Sequence, residues 1–214
     1  MLKSKSLRLL LPAIFTITCF TTCTKDQNTI VAVNPFMQYY HDQQTNLQVT
    51  ATNNDFPFEL GYTFVSSIPG YILSIGLSLP DSGYTYTVTL WDAATQAVLA
   101  RENCTTQETQ GLVGFVYYDL RAVNAEVAIQ ANHTYVISAN VNPVNAPPGK
   151  APNYVYYNIE RNDQANIFPM TEGPITFLNQ YTQASYTPTF PAQLSVYQNF
   201  LNGIVDIGFA NIDL

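Results

Sequence analysis

Gly70-Tyr71-Ile72-Leu73-Ser74-Ile75-Gly76-Leu77-Ser78-Leu79, then Pro80-Asp81-Ser82-Gly83, then Tyr84-Thr85-Tyr86-Thr87-Val88-Thr89-Leu90-Trp91: this stretch decides the fold class. In its first run Tyr71, Leu73, Ile75, Leu77 and Leu79 share one side of a two-residue period, with Ser74, Gly76 and Ser78 on the other. In its last run Tyr86, Val88 and Leu90 alternate with Thr85, Thr87 and Thr89. A period of two belongs to a β-strand with one buried face, and Pro-Asp-Ser-Gly supplies the turn chemistry between two such strands.

The pattern repeats outward from there. Residues 97–104, 111–120, 133–141, 154–159, 175–181 and 203–211 read as further strands, and residues 92–96 read as a hairpin connection. Helical periodicity is nearly absent. Its best candidate, 120–130, is expected to be a loop leading into a short strand at 127–130. About eight to ten strands separated by Gly, Pro and Asn turns predict an all-β chain folded as an antiparallel β-sandwich, jelly-roll-like in outline. One domain is expected over residues 54–214, with the Pro-rich stretch 143–152 as an insertion at the sandwich rim.

Composition excludes several function classes. Of the 214 residues only 11% are charged, against about 25% in ordinary domains. The net charge is −7, and three of the eight bases, Lys3, Lys5 and Arg8, lie at the start, leaving five bases against fifteen acids beyond them. A field of that sign repels DNA, RNA and anionic membrane surfaces, which are bound through clustered Lys and Arg. No nucleic-acid partner is expected. Neutral sugars and other proteins stay open.

Residues 1–8 are basic and residues 9–20 form an apolar run of about a dozen, the length of a secretory h-region and short of the ~20 that span a bilayer. Residues 1–22 therefore read as a signal peptide. Its end, Phe20-Thr21-Thr22-Cys23-Thr24-Lys25-Asp26, resembles the bacterial lipobox, which implies acylation of Cys23 as the new N-terminus and anchorage through two or more acyl chains. Cys19 is the rival site, with Ile17-Thr18 before it and the bulky Phe20 after it. Cys-Thr-Lys-Asp is similar to the start of lipoproteins of Bacteroidetes-type bacteria, and the resemblance implies an outer-membrane lipid anchor with the body on the cell surface; a body facing the periplasm is the other orientation. Residues 23–53, rich in Asn, Gln and Thr, are expected to form the acylated N-terminus and a polar tether with one strand at its end. The mature chain then keeps only Cys104, expected as a buried, inert thiol.

A second resemblance rests on Glu59-Leu60-Gly61 with Phe64, on Pro69-Gly70-Tyr71-Ile72, and on Tyr86-Thr87-Val88-Thr89-Leu90-Trp91-Asp92-Ala93-Ala94-Thr95. Together with Asn132-His133-Thr134-Tyr135-Val136 and the closing Gly203-Ile204-Val205-Asp206-Ile207-Gly208-Phe209, these resemble a bacterial family of extracellular β-sandwich modules of unknown function. The likeness covers about residues 56–211 and thins through the tyrosine-rich stretch 151–191. Members of that family occur in secreted proteins beside sugar-active or adhesive domains, so the resemblance implies an accessory, noncatalytic role.

Catalytic patterns are lacking: the sequence has no Gly-rich phosphate loop, no Gly-x-Ser-x-Gly elbow and no His-Glu-x-x-His. Asp42, Asp55, Glu59, Asp92, Glu102, Asp119, Glu160 and Asp206 read as turn or rim solvation, Asp206 being the oddest because it lies within a strong strand; it is expected to face solvent. No cofactor is expected. Asn53-Asn54-Asp55 and Asn162-Asp163 are the loops that could lend oxygens to a structural calcium. Trp91 is expected to pack beneath a turn rather than to stack on a sugar.

Fifteen Tyr in a chain so poor in charge exceed what one core needs, and exposed phenol rings make contacts at low entropy cost. The candidate ligand-binding residues are Tyr154, Tyr156, Tyr157, Tyr181 and Tyr186, with Tyr154 and Tyr156 on one strand face and Tyr157 on the other. The expected function is that of a noncatalytic surface module for a glycan. A structural or adhesin-type subunit engaging a protein partner is the alternative, and a glycan-active enzyme stands third. The anchor is tested directly: Cys23→Ser abolishes palmitate labelling and releases the protein from membranes, whereas unchanged labelling assigns the lipid to Cys19.

Overall fold

The computed structural model describes residues 32–107, 114–146, 154–197 and 199–211; the segment 1–22 read as a signal peptide and Cys23 lie outside them. The chain opens with β1 (Ala32–Val33), α1 (Pro35–Gln43) and β2 (Leu47–Asn54), then β3 (Phe58–Ser66), β4 (Gly70–Ser78), β5 (Thr85–Asp92) and β6 (Val98–Thr105). There follow β7 (Val116–Asp119), β8 (Val127–Ile129), β9 (Thr134–Asn140) and β10 (Tyr154–Arg161). The last five are β11 (Met170–Glu172), β12 (Ile175–Ala184), β13 (Gln193–Leu194), β14 (Phe200–Asn202) and β15 (Ile204–Ala210). Among the described residues no helix is long and apolar enough to cross a membrane.

Every paired strand runs antiparallel. The larger sheet has the order β11-β12-β3-β9-β5-β6, with β13 on β12; the opposing sheet has the order β1-β15-β4-β7, with β8 also on β4. Their apolar faces meet: Leu60, Tyr62, Phe64, Val88, Leu90 and Ile137 from the first pack with Ile72, Ile75, Leu77, Val205, Ile207 and Phe209 from the second. The protein is an antiparallel β-sandwich. A third sheet, β14-β10-β2, adds Ile159 and Leu201 to the same core and stands outside the two-sheet plan of a jelly roll.

The alternation read from residues 70–79 holds for Ile75 and Leu77 and then slips by one. Between Ser74 and Ile72 the register against β15 shifts, so that Ile72 joins the core with Ile75 while Leu73 is skipped in the pairing. A bulge of this kind moves every later side chain to the opposite face. The 120–130 segment matches its expectation, a short 3-10 turn at Leu120–Val123 followed by β8. Cys104 is buried, and burial pushes its thiol up to about 12, which leaves it unreactive.

The segment expected as a tether, 23–53, is structured from Ala32 onward and packs on the body. Asn34-Pro35 has the form of a helix start, and Phe36 and Tyr39, three apart, bury one face of α1. The Phe36 ring sits 5.4 Å from Tyr62 and 5.8 Å from Phe177, within an aromatic cluster that extends to Phe168 and Phe64. β2 pairs with β10 over eight residues, its polar composition reflecting a largely solvated ribbon rather than a loose chain.

Asp206 explains how α1 is held, and corrects the expectation that it faces solvent. Asn34 offers no side-chain cap. Instead the Phe36 amide donates to Asp206 Oδ1 and the Met37 amide to Oδ2, each at 3.0 Å, while Tyr117 donates to Oδ2 at 2.7 Å and the Ile207 amide to Oδ1 at 2.8 Å. A carboxylate there satisfies helix N-terminal donors and meets the positive end of the helix dipole. Tyr117 and Asp206 both face Gly76 in register, one on each side of β4. A Cβ on Gly76 would lie 2.5 Å from the Tyr117 ring, so the glycine is what lets the phenol cross to the carboxylate.

Removing the carboxylate strands two helix amides. Asp206→Ala is expected to cost about 3 kcal/mol, lowering the thermal midpoint by about 6–12 °C. Tyr117→Phe, which deletes one bond and keeps the ring, is expected to cost about 1 kcal/mol. Thermal melts of the two variants check the ordering. Burial pushes the Asp206 carboxyl up to about 6 against its helix and phenol donors. The folded value therefore lies above the unfolded one, so this group's stabilisation is full below the ordinary aspartate range and is lost as pH rises through about 6; Asp206→Asn removes that slope.

Candidate functional site

The most accessible aromatic surface lies where the β2–β10 ribbon meets the segment after β12. Tyr154, the first residue of β10, pairs with Asn54, the last of β2. The chain then turns through Phe56 and Pro57 into β3, and the Pro57 carbonyl accepts from the Ser185 amide at 3.1 Å. This places Tyr186 beside the turn. The Tyr154 and Tyr186 rings meet edge to face, centroids 6.5 Å apart at 83°. Tyr186 is 60% exposed and Phe56 59% exposed, large apolar rings that a sandwich core has no use for at its rim.

Tyr186 is held by its backbone. Asn142 Nδ2 donates to the Tyr186 carbonyl at 2.8 Å, Asn140 Nδ2 to the Ser185 carbonyl at 3.2 Å, and Ser185 Oγ to the Thr187 carbonyl at 2.7 Å. Its ring is thus displayed from a braced segment. Along the same ribbon Asn54 Nδ2, a donor, and Asn158 Oδ1, an acceptor, are buried with no hydrogen-bond partner. Unpaired buried amides are costly, and both lie on the strand face that carries Tyr154 and Tyr156.

Of the five candidate tyrosines the structure brings two together. Tyr154 and Tyr156 share a face of β10 and Tyr157 takes the other, as alternation predicts, and all three are half-buried against the core. Exposure along β2 changes phase at Ala51, with Leu47 and Val49 turned inward at one end and Thr52 and Asn54 at the other. The twisting ribbon therefore buries part of both faces. Desolvation raises the Tyr157 phenol, with Tyr40 and Asp81 adding to the shift. Tyr181 stands on a different sheet, between Gly61 of β3 and Leu194 of β13. Among the described residues no ring contact joins Tyr156, Tyr157 or Tyr181 to the Tyr154–Tyr186 pair. Counting tyrosines does not single out Phe56; an aromatic inside the turn sequence Asn53-Asn54-Asp55-Phe56-Pro57 is its signal.

Ionisable groups elsewhere are engaged in structure. Asp92 Oδ1 accepts from the Ala94 and Thr95 amides and the Thr95 hydroxyl, and Oδ2 lies 2.6 Å from His133 Nε2. These bonds, the Thr95 amide foremost, hold the Asp92 carboxyl down at about 2. The imidazole packs against Tyr135, rings 4.8 Å apart. No hydroxyl or thiol among the described residues bonds its second nitrogen, so the pair braces the β5–β6 hairpin against β9. Both Asp163 oxygens are taken by Arg161, at 2.8 and 2.6 Å. The 162–163 loop thus spends on a guanidinium the carboxylate a calcium would need, and among the described residues no three His, Cys, Asp or Glu gather as metal ligands.

Two further expectations are corrected. Glu59, read as a rim acid, is fully buried on the outward face of β3, where Ser138 and Thr189 bond it. Trp91 is buried as expected, but beneath residues 185–191 rather than a hairpin turn: its ring meets Phe190 edge-on at 5.8 Å and its Nε1 donates to Ser138 at 2.8 Å. No protein-family model matches the chain, and no curated protein matches it.

Proposed function

We propose that the protein is a noncatalytic binding module that receives a neutral glycan on the rim formed by Phe56, Tyr154 and Tyr186. The carrying observation is the meeting of Tyr154 and Tyr186, more than thirty positions apart in sequence, as an edge-to-face pair with one ring open to solvent. Aromatic faces attract the polarised C–H groups of a pyranose, and such stacking needs no charge on either partner. Low charge favours a neutral ligand. The resemblance of residues 56–211 to extracellular accessory modules supports the same reading, and the lipobox resemblance around Cys23 supports display from an outer-membrane anchor at the cell surface.

A protein-partner reading rests on β6, the edge strand of the larger sheet, with exposed Val98 and Leu99. Arg101 and Glu102 on that strand are the kind of charge that blocks edge pairing, which favours the glycan reading.

One stacked ring contributes on the order of 1 kcal/mol, about fivefold in affinity. Tyr186→Ala and Phe56→Ala are each expected to weaken glycan binding about that much, measured by calorimetry on the best ligand from a glycan array, with the thermal midpoint nearly unchanged. Tyr156→Ala, whose ring packs on the core, is expected to lower the midpoint instead. Unchanged affinity in both rim variants removes the proposed site, and turnover of any glycan removes the noncatalytic reading.

A further inference from the structure

The larger sheet is covered on its inner side by the opposing sheet and, over part of its outer side, by residues 185–191. On the outer side Glu59 stands in register between Gln183 of β12 and Asn140 of β9, and the next row carries Gly61, Ser138 and Thr89. Residues 185–191 cross this polar face as a strap. They are fastened by Asn140 and Asn142 to the carbonyls of Ser185 and Tyr186, and by the edge contact of Phe190 with Trp91. Pro191 lies directly over Gly61, where a Cβ would come 3.2 Å from the proline ring and 2.7 Å from Ser138. A side chain at Gly61 would push the strap off.

Beneath the strap runs a chain of hydrogen bonds. Trp91 Nε1 donates to Ser138 Oγ at 2.8 Å, Ser138 Oγ donates to Glu59 Oε1 at 2.5 Å, and the Thr189 amide of the strap donates to Glu59 Oε2 at 3.3 Å. The groups facing Glu59 from β12 and β9 are the uncharged Gln183 and Asn140, with Ser138 and the phenol of Tyr181 one row away. From β6 the charge of Arg101 reaches it, stacked 5.3 Å over Trp91 and bonded to Thr89 at 3.1 Å. Among the described residues Glu59 forms no ion pair. A carboxylate held by neutral donors in a fully buried place is hydrated only if its cover lifts.

We propose that Glu59 is a proton-controlled clasp on the strap: neutral, it keeps residues 185–191 seated on the sheet; ionised, it favours their lifting, and Tyr186 leaves the rim with them. The effect on ligand rests on the glycan reading above; the clasp itself does not. Burial pushes the Glu59 carboxyl up to about 7, against the lowering by Ser138, Asn140, Thr189 and Arg101. The seated value lies above that of a hydrated glutamate. Seating is therefore strongest below the ordinary carboxylate range and weakens as pH rises through about 7, tenfold in the seated-to-lifted ratio for each unit separating the two values.

Trp91 is the only tryptophan of the chain, so its emission reports on this place alone. With the full chain, emission is expected to shift to the red and acrylamide quenching to increase about twofold or more between pH 5.5 and 8.5, with a midpoint near 7. Glu59→Gln, neutral throughout, is expected to give a flat profile, and Asp206→Asn to keep the transition. A flat profile in the native chain, or the same transition in Glu59→Gln, overturns the proposal. Should Glu59→Gln lose its strand signal in circular dichroism, Ser138→Ala decides: loss of a donor to the charged form moves the midpoint upward, and an unmoved midpoint refutes the clasp. No ligand enters these measurements. A transition without glycan binding keeps the clasp and removes the rim reading; binding without a transition does the reverse.

Discussion

The carboxylate of Asp206 joins three parts of the molecule that sequence keeps apart. It accepts from the first turn of α1, from Tyr117 on β7 and from its own neighbour on β15. The helix would otherwise end in unpaired amides beside a buried strand, since Asn34 uses its side chain on the Ile207 carbonyl, 3.2 Å away, rather than on α1. With the helix start pinned, Phe36 can point only into the cluster of Tyr62, Phe177 and Phe168, and the inner face of the larger sheet closes around it. Burial of one acid thus determines where nine residues of helix lie. Its desolvation is offset only in part by four donors, which is why burial still raises the carboxyl.

The outer face of the larger sheet follows a different rule. A sandwich ordinarily leaves that face in water, where Thr, Ser, Asn and Glu need no partners. Here the strap covers it, and each polar group then needs a bond. Ser138 serves both Trp91 and Glu59, Asn140 holds the strap, and Gly61 supplies the missing volume. The same covering segment carries Tyr186 to Tyr154, so the rim and the buried network are two ends of one piece of chain.

Much of the strand content was legible because a two-residue period needs only a few neighbouring side chains to express itself. Residues 84–91 and 133–141 alternate as read, and β5 and β9 lie there. β3 does not stand out as a strand although Leu60, Tyr62 and Phe64 alternate with Glu59, Gly61 and Thr63, because Glu and Gly are poor strand formers and the reason for their presence is the strap. α1 is hidden in the sequence because its local signal is no more than Asn34-Pro35 and one pair of rings, while its cap comes from a residue about 170 positions away. Among the site residues, an excess of Tyr over charge pointed to the 154–186 stretch, yet composition could not separate Tyr186, which is exposed, from Tyr156 and Tyr157, which lean on the core.

By itself the sequence determined the class of fold, the antiparallel turns, the buried thiol of Cys104 and a surface poor in charge. Each of these depends on side-chain type and on spacing within about ten residues. Tertiary structure alone decided that Glu59 and Asp206 are buried acids rather than solvated ones, that Leu73 yields its place to Ile72, and that Tyr154 meets Tyr186. The physical reason is the same in each case: whether a polar face is wet depends on which distant segment crosses it, and no local period encodes that crossing.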